Sequence, residues 1–479
     1  MHSSEELNAS APHGRPATLG DLKASGHLYR TVKQEIRENL LTRMRAGQER
    51  FPGIVGFDQT VLPHLERALL AGHDVILLGE RGQGKTRLIR TLTGLLDEWT
   101  PTVAGCEIND HPYAPACARC QRMAAELDDE LPVTWRGRDN RYGEKLATPD
   151  TSVGDLIGDI DPVKVAEGRT LSDPETIHFG LVPRTNRGIF CLNELPDLAE
   201  RIQVSLLNVL EERDISVRGY ALRLPLDLVL VASANPEDYT NRGRIITPLK
   251  DRFGAEIRTH YPLSLDAELA LIDQESRLAW DGSDPGAVLP AHLVQVIARF
   301  TRLVRASPAV DARSGVSARF AIAAAEAVAA SAVRRAAITG EDQPVARVCD
   351  LPSVISTLRG KVEFEVSEEG REQEVLDHLL RRGTSDTFRA LLGNADLSGL
   401  LARFSDGGVV ETGDLVPAAD LLRRIGEVPG LAKIMERLQM TGGESLGQAA
   451  AALEFALEGL YLMRRLSKDS IDGGAVYRS

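Results

Sequence analysis

The sequence predicts an α/β fold in which a parallel β-sheet is flanked by helices, followed by segments that are mainly helical. Three observations support this prediction. An apolar run, Val75 to Leu78, is followed by a glycine-rich loop and a helical pattern. Two further segments have the pattern of buried parallel strands with a site at their carboxyl ends: residues 188–194 are an apolar run that ends in a polar pair, and residues 228–232 are an apolar run that leads into polar residues. Beyond Pro262, apolar residues recur mostly at helical spacing.

The loop after the first strand predicts a nucleotide site. Its residues, Gly79-Glu80-Arg81-Gly82-Gln83-Gly84-Lys85-Thr86, fit the P-loop pattern G-x-x-x-x-G-K-[ST]. The glycines let the backbone curl so that successive N–H groups face phosphate oxygens, and the helix predicted over residues 85–96 points its positive end at the same anion. We expect Lys85 to reach the β- and γ-phosphates of ATP and the Thr86 hydroxyl to ligate Mg²⁺.

Length and composition limit the class of protein. A chain of 479 residues is too long for one ordinary hydrophobic core, so several domains are expected. The net charge of −13 argues against nucleic-acid binding through general phosphate neutralisation. No apolar run approaches membrane-spanning length, the polar N-terminus lacks an apolar signal core, and the 5 cysteines do not resemble a secreted disulfide framework. These features predict a cytoplasmic protein.

The segment before the first strand is predicted to be mostly helical. Residues 1–50 are expected to form an arm and a charged helix. A turn at residues 51–57 separates them from an amphipathic helix over residues 58–71, which has its apolar residues on one side. The predicted nucleotide-binding core begins at this turn and extends over residues 51–263.

Residues 98–147 are predicted to be an insertion into that core. The insertion contains Cys106, His111, Cys117 and Cys120 in the pattern Cys-x4-His-x5-Cys-x2-Cys. Thiolate and imidazole groups suit tetrahedral Zn²⁺, and a Cys-x2-Cys pair is a frequent half-site. Four candidate ligands leave no open position for water, so the zinc would be structural. The alternative is a set of ordinary reduced cysteines in a surface insertion, since only one pair has diagnostic spacing.

A second insertion, rich in turn residues, is predicted as a hairpin and loops over residues 148–187. It leads into the strand that ends in Asn193 and Glu194. In a P-loop fold this strand lies beside the P-loop strand, and its end faces the γ-phosphate. The usual pair there is Asp-Glu: the aspartate organises Mg²⁺ and the glutamate polarises the attacking water. Because Asn193 lacks the charge, the sequence predicts hydrolysis through Glu194 with a weaker hold on Mg²⁺ or a lower rate.

The next segments continue the alternation of helices and strands. A helix is predicted over residues 200–212, a hairpin over residues 215–224 and a buried strand over residues 228–232. The strand is closed by Ser233-Ala234-Asn235-Pro236, and a proline turn then leads into Asp251-Arg252-Phe253-Gly254.

In this order, the elements resemble the AAA+ ATPases of the magnesium-chelatase I-subunit and MoxR clade. The resemblance covers roughly residues 52–335 and rests on the P-loop, the insertions before the NRGIFCLNEL strand, the hairpin before VASANP, and the DRFG segment. It implies that Asn235 is the first sensor, which aligns water against the γ-phosphate. It also implies that Arg252 acts across a subunit boundary, with Arg242 and Arg244 as alternatives. A surface salt bridge is the other interpretation of Arg252.

The C-terminal half is predicted to be helical. Residues 264–340 are expected to form the small lid that follows the core in this family. The resemblance places Arg319 as the second sensor, which would make the lid angle depend on the γ-phosphate. The alternative is a solvated arginine in the first turn of a helix. Residues 341–479 are expected to form a mainly helical interaction domain, in which we find no second P-loop.

The resemblance also implies a function. It implies a homo-oligomeric ring, expected to be a hexamer, with ATP between subunits and work done on a partner that carries a von Willebrand-type domain. The C-terminal extension and the N-terminal arm depart from the minimal chelatase subunit. A MoxR-like chaperone or remodelling ATPase is therefore favoured over a chelatase subunit that drives metal insertion into a tetrapyrrole.

Three other functions are weighed against this prediction. A σ54-type transcription activator would need a G-A-F-T-G-A loop, and the sequence has no such string. A DNA helicase of the related MCM group would favour a positive pore, which the net charge disfavours. A nucleotide-gated scaffold with little hydrolysis is suggested by Asn193. The combination of Glu194, Asn235, Arg252 and Arg319 favours turnover over the scaffold.

Overall fold

A computed structural model describes the chain at residues 14–166, 176–211, 215–217, 220–222, 224–236, 244–279, 286–311, 314–405, 407–440, 445–471 and 473–479. The chain divides into two compact units, Met1–His260 and Tyr261–Ser479. The finer division, with boundaries after residues 50, 263 and 340, stays a prediction. None of the described helices combines the length and apolar character needed to cross a membrane.

The described strands of the first unit are short. They are β1 (Val75–Leu78), β2 (Trp99–Val103), β3 (Val133–Gly137), β4 (Tyr142–Leu146), β5 (Gly158–Ile160), β6 (Ile177–Phe179), β7 (Ile189–Asn193), β8 (Ile215–Val217), β9 (Tyr220–Leu222), β10 (Val229–Ala234) and β11 (Ala255–Arg258).

A five-stranded parallel sheet forms the centre of this unit, in the order β11-β1-β10-β7-β4. The other strands pair as antiparallel hairpins, β2 with β3, β5 with β6 and β8 with β9. Strands β1, β7 and β10 are buried along their whole length, which explains why their sequences are mostly apolar. The parallel sheet confirms the predicted α/β fold class. Because parallel strands end at the same edge, the residues that follow β1, β7 and β10 come close together.

The described part of the first unit also contains ten α-helices. They are α1 (Leu19–Ala24), α2 (Val32–Arg45), α3 (Val61–Leu70), α4 (Lys85–Thr91), α5 (Ala118–Leu127), α6 (Val153–Leu156), α7 (Pro162–Ala166), α8 (Leu181–Arg184), α9 (Glu200–Glu211) and α10 (Thr247–Arg252).

The two faces of the sheet bury different side chains. Val75 and Leu77 of β1 lie in a core with apolar residues of α2, α3 and α4. Ile76 and Leu78 lie in a second core with residues of α9 and α10. The alternation follows from the two-residue period of a strand. With both faces packed, β1 gives the P-loop a fixed starting point.

The N-terminal helix α2 packs on the first of these cores through Val32, Ile36 and Leu40. Glu35, on the same helix, forms a buried ion pair with Arg141, whose two terminal nitrogens each lie 2.7 Å from one carboxylate oxygen. The helix is therefore attached to the core by both apolar and ionic contacts.

The structure corrects one part of the sequence prediction. We predicted an insertion over the whole of residues 98–147, but its last residues form β4, an edge strand of the central sheet, with Leu146 opposite Asn193. The preceding residues do form an excursion, in which α5 lies between β2 and β3. The strand escaped prediction because its sequence, Tyr-Gly-Glu-Lys-Leu, is half polar, as edge strands often are.

The second unit is largely helical, as predicted. Its described helices are α11 (Leu265–Glu275), α12 (Ala291–Arg305), α13 (Ala318–Thr339), α14 (Ser353–Leu358), α15 (Glu372–Leu392), α16 (Ser398–Leu401), α17 (Ala418–Ile425), α18 (Leu431–Arg437) and α19 (Leu446–Leu462).

The second unit also contains a small antiparallel sheet that the sequence did not predict. Its strands are β12 (Val410–Gly413), β13 (Ser467–Ile471) and β14 (Gly474–Arg478), in the order β12-β14-β13. Only the central strand β14 shows the alternating burial of an amphipathic strand, through Ala475 and Tyr477. One apolar cluster extends from Ile272 to Tyr477, so the predicted lid and the C-terminal extension share a core.

Candidate functional site

The P-loop connects the end of β1 to the start of α4. Gly82 and Gly84 have φ values of 71° and 76°, which side chains other than glycine rarely adopt. A Cβ atom on Gly79 would overlap the side chains of Thr259 and Gln83. The glycines of the predicted pattern therefore occupy positions that require glycine, for conformation at two of them and for space at the third.

Lys85 lies in the centre of the loop, and only 9% of it is exposed. Its ammonium donates hydrogen bonds to the carbonyl oxygen of Gly79, to that of Glu80 at 2.8 Å and to Oδ1 of Asn235 at 2.8 Å. The residue predicted as first sensor, Asn235, is thus in direct contact with the P-loop lysine. A buried ammonium wrapped by backbone in this way fits a phosphate-binding site.

Asn193 connects the P-loop to the neighbouring strands. Its Oδ1 accepts hydrogen bonds from the Thr86 hydroxyl at 3.4 Å and from the Ser233 hydroxyl at 3.1 Å. Its Nδ2 donates to Oε1 of Glu144 at 2.7 Å. The structure therefore brings Thr86, Asn193 and Glu144 together. Hydroxyl, amide and carboxylate oxygens are the donors that Mg²⁺ prefers, so this group fits that ion.

Glu144, on the edge strand β4, is a site residue that sequence reasoning missed. Arg90 donates to both of its carboxylate oxygens, at 2.9 and 3.1 Å, and the Tyr142 hydroxyl donates at 3.0 Å. Burial by itself would raise the pKa of Glu144, but the hydrogen bonds from Arg90, Tyr142 and Asn193 outweigh it and hold the pKa below its ordinary value. The side chain therefore carries a full negative charge at neutral pH. If β4 had been predicted as a strand of the sheet, Glu144 could have been predicted to lie beside Asn193.

Glu194, the predicted catalytic carboxylate, follows β7 directly. Its backbone is in the left-handed region, with φ 56° and ψ 47°, and its N–H donates to the Ser233 hydroxyl at 3.3 Å. This conformation costs a residue other than glycine about 1–2 kcal/mol. Such strain is retained where the surrounding structure fixes it, and it is frequent at functional sites, which fits this half-buried carboxylate.

The predicted arginines differ in their surroundings. Arg252, the last residue of α10, forms an ion pair with Glu211, and 45% of its side chain is exposed. Arg319 is exposed in the first turn of α13, in the second unit. Arg244 is exposed as well, whereas Arg242 lies outside the described residues. Asp251, beside Arg252, is exposed.

The cysteine-containing excursion brings together a different set of residues from the one predicted. The ligand atoms of Cys106, Cys117, Cys120 and Asp110 all lie within 4.8 Å of one another. His111 is not in this group: its Nε2 lies 3.3 Å from Nε2 of His27, and its Nδ1 accepts the Tyr113 N–H at 3.0 Å. The structure therefore corrects the predicted grouping: Asp110, and not His111, lies beside the three cysteines.

The chain is similar to one family model and to several curated proteins. The family model for the sigma-54 interaction domain matches residues 170–252. The magnesium-chelatase 38 kDa subunit of Acidiphilium rubrum is 31% identical over 216 residues, which cover 43% of this chain and 57% of that protein. The magnesium-chelatase subunit ChlI of Guillardia theta is 30% identical over 242 residues, which cover 48% of this chain and 62% of that protein. The chain thus spans less than two thirds of these relatives.

Solved structures match at lower identity. A complex between subunits BchI and BchD of magnesium chelatase matches 68% of this chain and 98% of its own chain, with 20% identity and a TM-score of 0.35. NtrX from Brucella abortus matches 75% of this chain and 69% of its own, with 15% identity and a TM-score of 0.40.

Proposed function

Because the chain belongs to the magnesium-chelatase-like clade of AAA+ proteins, we propose that it hydrolyses ATP and uses the free energy to remodel a partner protein. One observation carries this proposal. Lys85 is hydrogen-bonded to Asn235, and its neighbour Thr86 is hydrogen-bonded to Asn193, so that four polar side chains meet at the carboxyl edge of the central sheet. The group combines an ammonium for phosphate, a hydroxyl for a divalent cation and two amides at strand ends.

The residues of this group would have separate roles. Lys85 would bind oxygens of the β- and γ-phosphates, and the Thr86 hydroxyl would ligate Mg²⁺. When bound, ATP supplies the phosphoanhydride bond whose hydrolysis releases the free energy for motion. Glu194 would orient a water molecule and accept its proton, and Asn235 would align the same water molecule.

The pair Asn193–Glu144 supports turnover despite the missing aspartate. The Asn193 amide lies between the Thr86 hydroxyl and the Glu144 carboxylate, so its N–H group faces a negative charge and its oxygen faces the P-loop. Hydrogen bonds in a chain polarise one another, so Glu144 makes the Asn193 oxygen a stronger acceptor. We propose that the two residues together replace the usual aspartate: Asn193 supplies the oxygen and Glu144 the charge.

The two outer arginines would couple the site to movement. An exposed ion pair such as Arg252–Glu211 stabilises a protein by at most about 1 kcal/mol. Arg252 can therefore leave Glu211 at little cost when a phosphate of a neighbouring subunit competes for it, as an arginine that acts in trans must do. Arg319 would act as the second sensor and make the position of the lid depend on the nucleotide.

We propose that copies of the chain assemble as a hexameric ring with one ATP site at each boundary. The proposed partner is a protein with a von Willebrand-type domain, remodelled in a MoxR-like manner in the cytoplasm. Identity of about 30% with magnesium-chelatase subunits supports the motor class. The second unit, with its own core, supplies surface beyond the nucleotide-binding unit for a partner.

Two other functions have specific support. The names of the relatives favour a magnesium-chelatase I-subunit that drives metal insertion into a tetrapyrrole. Asn193 favours a nucleotide-gated scaffold that binds ATP and assembles with little hydrolysis, because a neutral amide holds Mg²⁺ less firmly than a carboxylate does.

Steady-state ATP hydrolysis in the presence of Mg²⁺ separates the motor from the scaffold. We expect Lys85→Ala to lose both ATP binding and turnover. We expect Glu194→Gln to bind ATP and to hydrolyse it about 100-fold or more slowly than the wild type, because it loses the general base. Lys361→Ala, at an exposed lysine of the second unit, is the control and should keep wild-type turnover. Tight ATP binding with negligible turnover in the wild type would contradict the motor and favour the scaffold.

A further inference from the structure

We infer that Cys106, Cys117, Cys120 and Asp110 form a structural Zn²⁺ site in the excursion between β2 and β3. The site is independent of the nucleotide site proposed above. Among the described residues it is the group whose donor atoms, three thiols and one carboxylate, suit zinc in number and type.

The spacing of the four ligand atoms fits one tetrahedral ion. Zinc–sulfur bonds of about 2.3 Å place the sulfurs of a tetrahedral site about 3.8 Å apart. The sulfurs of Cys106 and Cys117 are 4.0 Å apart, and all four ligand atoms lie within 4.8 Å of one another. The ligand separations therefore need to shorten by no more than about 1 Å to close the four ligands around a metal.

Asp110 provides the observation that points to a cation. The residue is fully buried. Its Oδ2 accepts the Cys117 N–H at 2.8 Å, whereas its Oδ1 has no hydrogen-bond partner among the described residues. A buried carboxylate oxygen without a partner is costly, because it has lost water and gained nothing in return. A metal ion among the three thiols would supply the missing partner for Oδ1.

The backbone around the cluster supports charged sulfurs. The Asp110 N–H points to the Cys106 sulfur at 3.3 Å, and the Cys120 N–H points to the Cys117 sulfur at 3.4 Å. The Cys117 N–H donates a hydrogen bond to the Asp110 carboxylate and so fixes the position of this fourth ligand as well. Outer contacts of this kind orient metal ligands and distribute their negative charge.

The excursion also has a structural need for a metal. Its own apolar cluster contains only four buried residues in the described chain, namely Leu19, Val103, Cys120 and Leu131. Ile108 of the loop is also buried in a core beside the central sheet. A local cluster of four residues adds little stability of its own, and small substructures of this kind commonly rely on a metal or a disulfide. Zinc would join the loop after β2 to the start of α5.

Metal analysis of the untagged full-length protein, purified without added metal, tests the site. We expect about one Zn per chain, as a closed structural site requires. The ion should be lost in Cys117→Ser and retained in Cys349→Ser, which removes a thiol of the second unit. Asp110→Asn should weaken zinc binding by more than the roughly 10- to 100-fold that an outer contact costs. His111→Ala should leave the zinc content unchanged.

X-ray absorption at the zinc edge of the wild-type protein gives a test that needs no variant. We expect three sulfurs at about 2.3 Å, one oxygen at about 2.0–2.2 Å and no imidazole signature. An imidazole in the spectrum, with zinc lost from His111→Ala, would contradict the assignment of Asp110. A folded native protein without zinc, or one with a Cys106–Cys117 disulfide, would contradict the site itself.

Discussion

At the scale of single residues, the two candidate sites combine side chains that are close in sequence with others that are distant. The P-loop could be predicted because its residues are contiguous in the sequence and because the backbone conformation of the loop requires its glycines. Glu144 could not, because it meets Asn193 across 49 positions and nothing in the local sequence distinguishes it from a solvated carboxylate. Asp110 was missed beside His111 for a related reason. Spacing alone does not show which of two neighbouring side chains turns toward the thiols.

The Asn193–Glu144 pair predicts an unusual response to restoring the common aspartate. Asn193→Asp would replace a 2.7 Å hydrogen bond by two carboxylates in contact. We therefore expect Asn193→Asp and Glu144→Gln each to raise the Mg²⁺ concentration needed for half-maximal ATP hydrolysis. The double variant, which exchanges charge and amide, should recover most of the wild-type behaviour. The coupling between the two changes should be about 1–3 kcal/mol.

The control for this cycle is Asp139→Asn, which removes an exposed carboxylate shortly before β4. Alone, it should leave the Mg²⁺ dependence of the wild type unchanged. In combination with Asn193→Asp, it should leave the Mg²⁺ dependence of that single variant unchanged. Additive effects of Asn193→Asp and Glu144→Gln, or higher activity of Asn193→Asp alone, would refute the charge-sharing role of Glu144.

At the scale of elements, the sequence predicts those that are buried on all sides and misses those at edges. Strands β1, β7 and β10 are mostly apolar because helices cover both faces of the sheet. Strand β4 has polar residues because it is an edge strand, and the β13 sequence Ser-Lys-Asp-Ser-Ile has almost no apolar signal. The pairing of such strands is decided by neighbours that a local pattern does not contain.

The attachment of α2 to the nucleotide-binding unit depends on Glu35. Loss of one partner of a buried ion pair leaves the other charge buried and unpaired, which typically destabilises a protein by about 3–5 kcal/mol. We expect Glu35→Gln to lower the free energy of unfolding by about this amount. Glu38→Gln, on the same helix, removes an exposed partner of Arg30 and should cost less than about 1 kcal/mol. Chemical denaturation followed by circular dichroism measures both, and equal effects would contradict the role of burial.

The same ion pair predicts a dependence on pH. Burial raises the pKa of Glu35, but the hydrogen bonds and charge of Arg141 outweigh it and lower the pKa below the ordinary value of 4.5. A carboxyl whose pKa is lower in the folded state contributes stability above its unfolded pKa and loses it as the pH falls through its folded pKa. The stability difference between wild type and Glu35→Gln should therefore be constant near neutral pH and shrink below about pH 4.5.

At the scale of the whole molecule, the chain combines a nucleotide-binding unit with a second, largely helical unit. In this second unit one apolar cluster joins residues from Ile272 to Tyr477, on both sides of the boundary predicted at residue 340. Local periodicity reveals helices, but it does not show which helices share a core. The central claim at this scale is that the chain works as an assembly whose ATP sites are shared between copies.

Mixing two inactive variants tests that claim most directly. Arg252→Ala keeps Glu194 but lacks the arginine for its neighbour, whereas Glu194→Gln keeps the arginine but lacks the base. If Arg252 acts in trans, mixed assemblies contain boundaries with both groups intact, so ATP hydrolysis should reappear and pass through a maximum as the mixing ratio varies. As the matched control for subunit exchange, ATP hydrolysis is also measured after each variant is mixed with Lys85→Ala, which lacks the lysine of the P-loop. Absence of recovery at every ratio, in assemblies shown by mass to be mixed, would contradict the account.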